Sequence, residues 1–131
     1  MTQISKAKAV NASKLAAQIA QFALDKKAEN VISLDVKDLT NITDEFLICS
    51  SDTNIQVKAI ADSIRKNTDH KPIRIEGYEH LNWVLLDYID VIVHIFRTEE
   101  RKYYNIEKLW ADAPLREFDD EDFVKINSST K

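Results

Sequence analysis

Four groups of side chains could carry chemistry. Asp35 with Asp38, and Asp87 with Asp90, are carboxylate pairs three residues apart. Either could bind a divalent cation through oxygen, and two such metals would clamp the attacking and leaving oxygens of a nucleotidyl transfer. That reaction also needs a phosphate anchor, usually a Gly-Ser turn at a helix start. The corresponding stretch here is Cys49-Ser50-Ser51-Asp52, with no glycine and an extra acid. His70, His80 and His94 are scattered, without the i, i+4 spacing of a helical metal site. Cys49 lies in a short apolar run and reads as a small buried hydrophobe, and nothing local supports a Cys-His nucleophile. Arg101-Lys102-Tyr103-Tyr104 could offer nucleic acid a basic-aromatic patch, but two cations in an acidic neighbourhood make a weak one. Acid pairs near turns are common for structural reasons, so these residues by themselves favour neither a metal site nor a local nucleophile.

A predicted strand pair, 83–88 with 90–96, holds the more informative cluster. With Asp87 opposite Asp90, and Tyr88 and Ile89 at the turn, alternation fixes two faces. One carries Val84, Leu86, Val91, Val93 and Ile95, which suits a core. The other carries Trp83, Leu85, Asp87, Asp90, Ile92, His94 and Phe96. Facing carboxylates repel by about 0.2–1 kcal/mol unless solvent or a basic partner compensates. A tryptophan beside acids on an apolar face is also what an interface centre looks like. The plainer alternative is a core Trp83, with Asp87 and Asp90 flanking a turn.

These residues need a scaffold. Leu15, Ala16, Ile19, Phe22 and Ala23 recur at helical spacing, with Asn11 or Ser13 available as a cap. Strands are expected at 31–36, 46–49 and 73–76. A helix carries Val57, Ile60, Ala61 and Ile64 after the cap-rich stretch 50–54. Short helices start at Thr98 and Ile106. The order α-β-β-α-β-β-β-α predicts a single α/β domain, a mixed sheet of about five strands packed with helices. Residues 1–11 are expected to be a flexible segment, 12–116 the domain, and 117–131 an acidic, disordered tail.

Composition bounds the rest. At 131 residues the chain is one domain, and 44% hydrophobic with 31% charged residues is globular. The only glycine, Gly77, excludes glycine-rich phosphate loops. One cysteine, no long apolar run and no signal-like N-terminus point to a cytoplasmic protein without a membrane span. Net charge is +3 over residues 1–29, −4 over 30–111 and −3 over 112–131. An acidic middle and tail argue against wrapping or reading nucleic acid. They suit a basic protein partner or simply solubility.

The stretch from Trp83 to Phe96 resembles the signature of the ribosomal silencing factor family, also called Iojap-like or RsfS. The family pattern continues with Arg101, Tyr104, Leu109-Trp110 and Asp112-Ala113. Upstream, Leu34-Asp35-Val36, Thr43-Asp44-Glu45-Phe46, Thr53-Asn54, Gln56-Val57, Ala59-Ile60-Ala61 and Glu76-Gly77 also match. The resemblance spans about residues 12–116, with one departure: Ile89 stands in a hairpin turn where the family usually has glycine. It implies a nucleotidyltransferase-like fold without its catalytic site, and no cofactor. It further implies a translation repressor that binds the large ribosomal subunit at that subunit's protein number fourteen and blocks joining of the small subunit. On that reading the partner-binding residues are Trp83 and Leu85 as apolar anchors, Asp87 and Asp90 pairing with basic groups, and Tyr88 at the rim. A strand edge or the mixed face could pair with itself, which would make the free protein a homodimer. The rival readings are a metal-dependent nucleotidyltransferase-like enzyme and a generic protein-interaction module.

Overall fold

The structure is a computed structural model that describes residues 2–119, with backbone alone over 2–10. Six strands form one mixed sheet in the order β3-β4-β5-β2-β1-β6. The strands are β1 (Glu29–Asp35), β2 (Glu45–Ser51), β3 (Arg74–Glu76), β4 (Trp83–Asp87), β5 (Val91–Arg97) and β6 (Leu115–Phe118). The helices are α1 (Thr2–Leu24), α2 (Asn54–Asn67), α3 (Thr98–Tyr104) and α4 (Ile106–Leu109).

The two central strands, β2 and β5, run parallel, with Phe46 opposite Ile92 and Ile48 opposite His94. Every residue of β2 is buried, as expected of a strand covered on both faces. The α2 crossover that separates them begins where Thr53 Oγ1 accepts from the Gln56 amide at 3.1 Å. That cap satisfies one of the free donors of the first turn.

One sheet face packs on α1 and α2 through Ala16, Ile19, Val57, Ile64, Leu47, Leu86 and Val93. The other face is a second core, built on Leu34, Phe46, Ile48, Ile92 and Phe96. Ile106, Trp110 and Ala113, from α4 and the segment after it, close over that core.

Several expectations change. The sheet has six strands rather than about five. β6 pairs antiparallel with β1, Phe118 opposite Val31, so the domain runs past the expected boundary at residue 116. Helix α1 starts at Thr2 rather than after a cap at Asn11 or Ser13, because Lys6-Ala7-Lys8-Ala9 are strong helix formers with no breaker between. The segment 1–11 is therefore helical from residue 2. The acidic tail beyond Asp119 lies outside the described residues.

The hairpin register also differs. Asp87 faces Ile92, not Asp90, and the Tyr88 amide donates to the Val91 carbonyl at 2.9 Å. The shift is two residues, so each side chain keeps its face, but Tyr88 joins the aliphatic face and the two-residue turn moves from Tyr88-Ile89 to Ile89-Asp90. The Asp90 amide donates to the Tyr88 carbonyl at 2.9 Å, across Ile89 at φ +72°. This is a γ-turn of the rare, strained hand. Its flanks hold it in place. Asp87 Oδ1 accepts from the Ile89 amide at 2.8 Å, and Thr43 Oγ1 donates to the Ile89 carbonyl at 2.8 Å.

Candidate interaction surface

Strands β4 and β5 place Trp83, Leu85 and Asp87 in register with Phe96, His94 and Ile92. The face expected to be open is mostly covered: Phe96, His94 and Ile92 are buried in the second core. Trp83 and Leu85 stay half-buried at its margin. Gly77 makes this strand entry possible. Its φ is +95°, and a Cβ there would sit 1.9 Å from the Trp83 carbonyl oxygen.

The Trp83 ring is fixed on three sides. It stacks on Phe96 at 4.7 Å and 29°, and leans on Tyr104 of α3 at 4.9 Å. Its Nε1 donates to His94 Nδ1 at 3.1 Å. An accepting Nδ1 puts the imidazole proton on Nε2, an atom with no partner among the described residues. Burial lowers the His94 pKa to about 4, so the ring is a neutral acceptor near pH 7. Phe46 packs edge-on against His94 at 5.2 Å and against Trp110 at 5.3 Å.

From Trp83 the aromatic surface runs outward. Tyr104 is half exposed, Tyr103 is 82% exposed and meets it edge-on at 5.0 Å, and Leu109 on α4 is also exposed. The sequence reading did not place these beside Trp83. Arg101 is what brings them there. Its guanidinium faces inward, donating to the Asn30 carbonyl at 2.7 Å, Ser50 Oγ at 3.0 Å and Glu107 at 2.9 Å. Arg101 therefore pins α3 and α4 to β1 and β2 and is not part of an exposed basic patch.

The remaining expected contacts divide. Tyr88 is not a rim residue: it is 2% exposed, and its hydroxyl shares a 3.0 Å hydrogen bond with Thr68 Oγ1. The register shift turned it into the core. Asp87 is half-buried and engaged by the Ile89 amide and, at 3.7 Å, by Arg74. Asp90 lies in the turn, partly exposed, beside exposed Ile89. The other acid pair is separated by role, since Asp35 is paired with Lys37 at 2.7 Å. Cys49 is fully buried, and burial pushes its thiol up to about 12, which leaves it inert. No group of three or more His, Cys, Asp or Glu is placed to hold a metal among the described residues. Nor is any described helix long and apolar enough to cross a membrane.

Comparison with known proteins agrees with this architecture. The family model "Ribosomal silencing factor during starvation" matches residues 9–131. A ribosomal silencing factor RsfS of Halalkalibacterium halodurans is 49% identical over 98 residues, covering 72% of this chain and 84% of the relative. That of Bacillus subtilis is 45% identical over 98 residues, covering 72% and 83%. A crystal structure of a Chromobacterium violaceum protein superposes with a TM-score of 0.68 at 36% identity, covering 77% of this chain and 84% of that one. With a family match across nearly its whole length, the chain belongs to the ribosomal silencing factor family.

Proposed function

We propose that this chain represses translation by binding the large ribosomal subunit through that subunit's protein number fourteen and sterically blocking the small subunit. Family membership supports a ribosome-associated silencing role. The observation that carries the contact is the aromatic run Trp83–Tyr104–Tyr103, half-exposed at its root and open at its tip. A rigid, already ordered aromatic surface loses little side-chain entropy on binding and supplies the desolvated anchors that dominate interfaces.

Trp83 and Leu85 are the anchors in this reading. Asp90, at the end of the same hairpin, faces basic groups of the partner, and Asp87 holds the turn that presents it. Occlusion needs only bulk at the subunit interface, so the protein acts without catalysis or cofactor. A cytoplasmic site of action and a homodimer in the free state belong to the same proposal.

The test is binding of the full chain to isolated protein number fourteen by titration calorimetry. A saturable complex, weakened by Trp83→Ala in a folded variant, supports the contact. No binding to that protein, with binding to the intact subunit kept, would move the contact elsewhere.

A further inference from the structure

The acidic net charge hides a basic groove. Where the last turn of α2 meets the edge strand β3, two adjoining depressions of about 440 and 310 Å³ share Lys66 and Asp62. Arg65, Lys71, Pro72 and Ile75 line the first, and Lys26, Ser63 and Asn67 the second. Four cations from three separate segments therefore line the two depressions, Lys66 lining both. Lys26 comes from the α1–β1 turn, Arg65 and Lys66 from α2, and Lys71 from the loop before β3.

The carboxylate lining both depressions is already neutralised. Asp62 pairs with Lys58 at 2.7 Å and accepts from the Tyr78 hydroxyl at 2.9 Å. The same Tyr78 ring lies under the Arg65 guanidinium, 5.1 Å from its centroid. Lys26, Lys66 and Lys71 form no ion pair among the described residues. Two cations in the last turn of α2 would be accounted for by the helix dipole. That effect does not explain Lys26 and Lys71, which the tertiary fold brings into the two depressions that share Lys66.

We infer that this groove is a second ribosome contact that takes the phosphate backbone of large-subunit RNA. The inference rests on the ribosome-bound reading above. Three of the four cations are lysines, which meet phosphates as point charges without the planar fork that reads base edges. The contact is therefore independent of base sequence, in keeping with a chain not built to read nucleic acid. Pro72 and Ile75 give the groove an apolar wall against which sugars can lie. Because the groove lies on the helical side of the sheet, at its β3 edge, it leaves the Trp83 surface free to engage protein at the same time.

The test uses full-length protein and purified large subunits. Hydroxyl-radical footprinting of the subunit RNA is combined with binding measured between 50 and 200 mM salt. The double variant Lys66→Glu, Lys71→Glu changes exposed side chains only, and its fold is verified by circular dichroism. The expected result is RNA protection by the unaltered protein that the variant loses. With it go an affinity for the subunit at least about tenfold lower and a shallower salt dependence, while affinity for isolated protein number fourteen is unchanged. Equal protection and affinity in the variant would overturn the inference. So would a loss of affinity where the unaltered protein protects no RNA, which would point to an acidic protein as occupant. If the unaltered protein fails to bind the subunit at all, the proposed function falls first and the groove's role with it.

Discussion

The indole N–H of Trp83 donates to Nδ1 of His94 across the β4–β5 pair, at 3.1 Å. A half-buried anchor is thereby set by a buried neutral imidazole. The hydrogen bond, the stack on Phe96 and the contact with Tyr104 leave the ring one position, so the surface is formed before any partner arrives.

Trp83→Ala should weaken binding to the large subunit by about 30-fold or more, since a desolvated aromatic anchor is worth at least about 2 kcal/mol. Trp83→Phe keeps a stacking ring but loses the donor to His94, and should fall between. Sedimentation binding, with circular dichroism to verify folding, checks both. Unchanged affinity in folded Trp83→Ala would remove Trp83 from the contact.

Acid should weaken the fold through His94. Its folded pKa, about 4, lies below the ordinary 6.5. Above pH 6.5 the ring is neutral folded and unfolded, and no penalty exists. As pH falls from 6.5 toward 4 only the unfolded chain gains the proton, costing on the order of 3 kcal/mol. Below 4 the folded ring is protonated too, and this loss stops growing. Denaturation midpoints of the protein and of His94→Gln between pH 7 and 4 should converge as the pH drops. Parallel curves would show that His94 titrates normally.

Ile89→Gly should stabilise the chain by about 1 kcal/mol. A β-branched residue at φ +72° carries strain that glycine does not, and the Ile89 side chain is 54% exposed, so little burial is lost. The added freedom of the unfolded chain offsets part of the gain. Urea denaturation gives the answer, and a lower midpoint would mean the turn is not strained as described.

Gly77→Ala should destabilise by about 2 kcal/mol or more, because the new methyl would meet the Trp83 carbonyl and φ is +95°. The displaced backbone is that of Trp83, so affinity for the subunit should fall together with thermal stability. Loss of neither would show that β4 can shift without consequence.

Much of the scaffold was legible in the chain. The apolar runs at 46–49 and 91–96 gave the central strands, the cap-rich stretch before Ile55 gave the start of α2, and Trp83 and Leu85 were placed on the correct face of β4. What escaped reading depended on contacts far apart in sequence. β6 is four residues, Leu115–Phe118, whose pairing with β1 leaves no apolar alternation to detect. The turn violates its own local preference, since nothing about isoleucine suggests positive φ. The register followed that turn, and with it the burial of Tyr88. The covering of the second face depends on Arg101 reaching Asn30 and Ser50, 71 and 51 residues away, and so does the position of Tyr104 beside Trp83. The basic groove escaped because net charge averages over segments that only the fold brings together.

The most direct measurement is sucrose-gradient sedimentation of purified subunits, with this protein added to the large subunit before the small one. The account predicts that the protein travels with the large subunit and that the joined-ribosome peak falls as its concentration rises. Full joining at saturating protein, or no association with the large subunit, would contradict it.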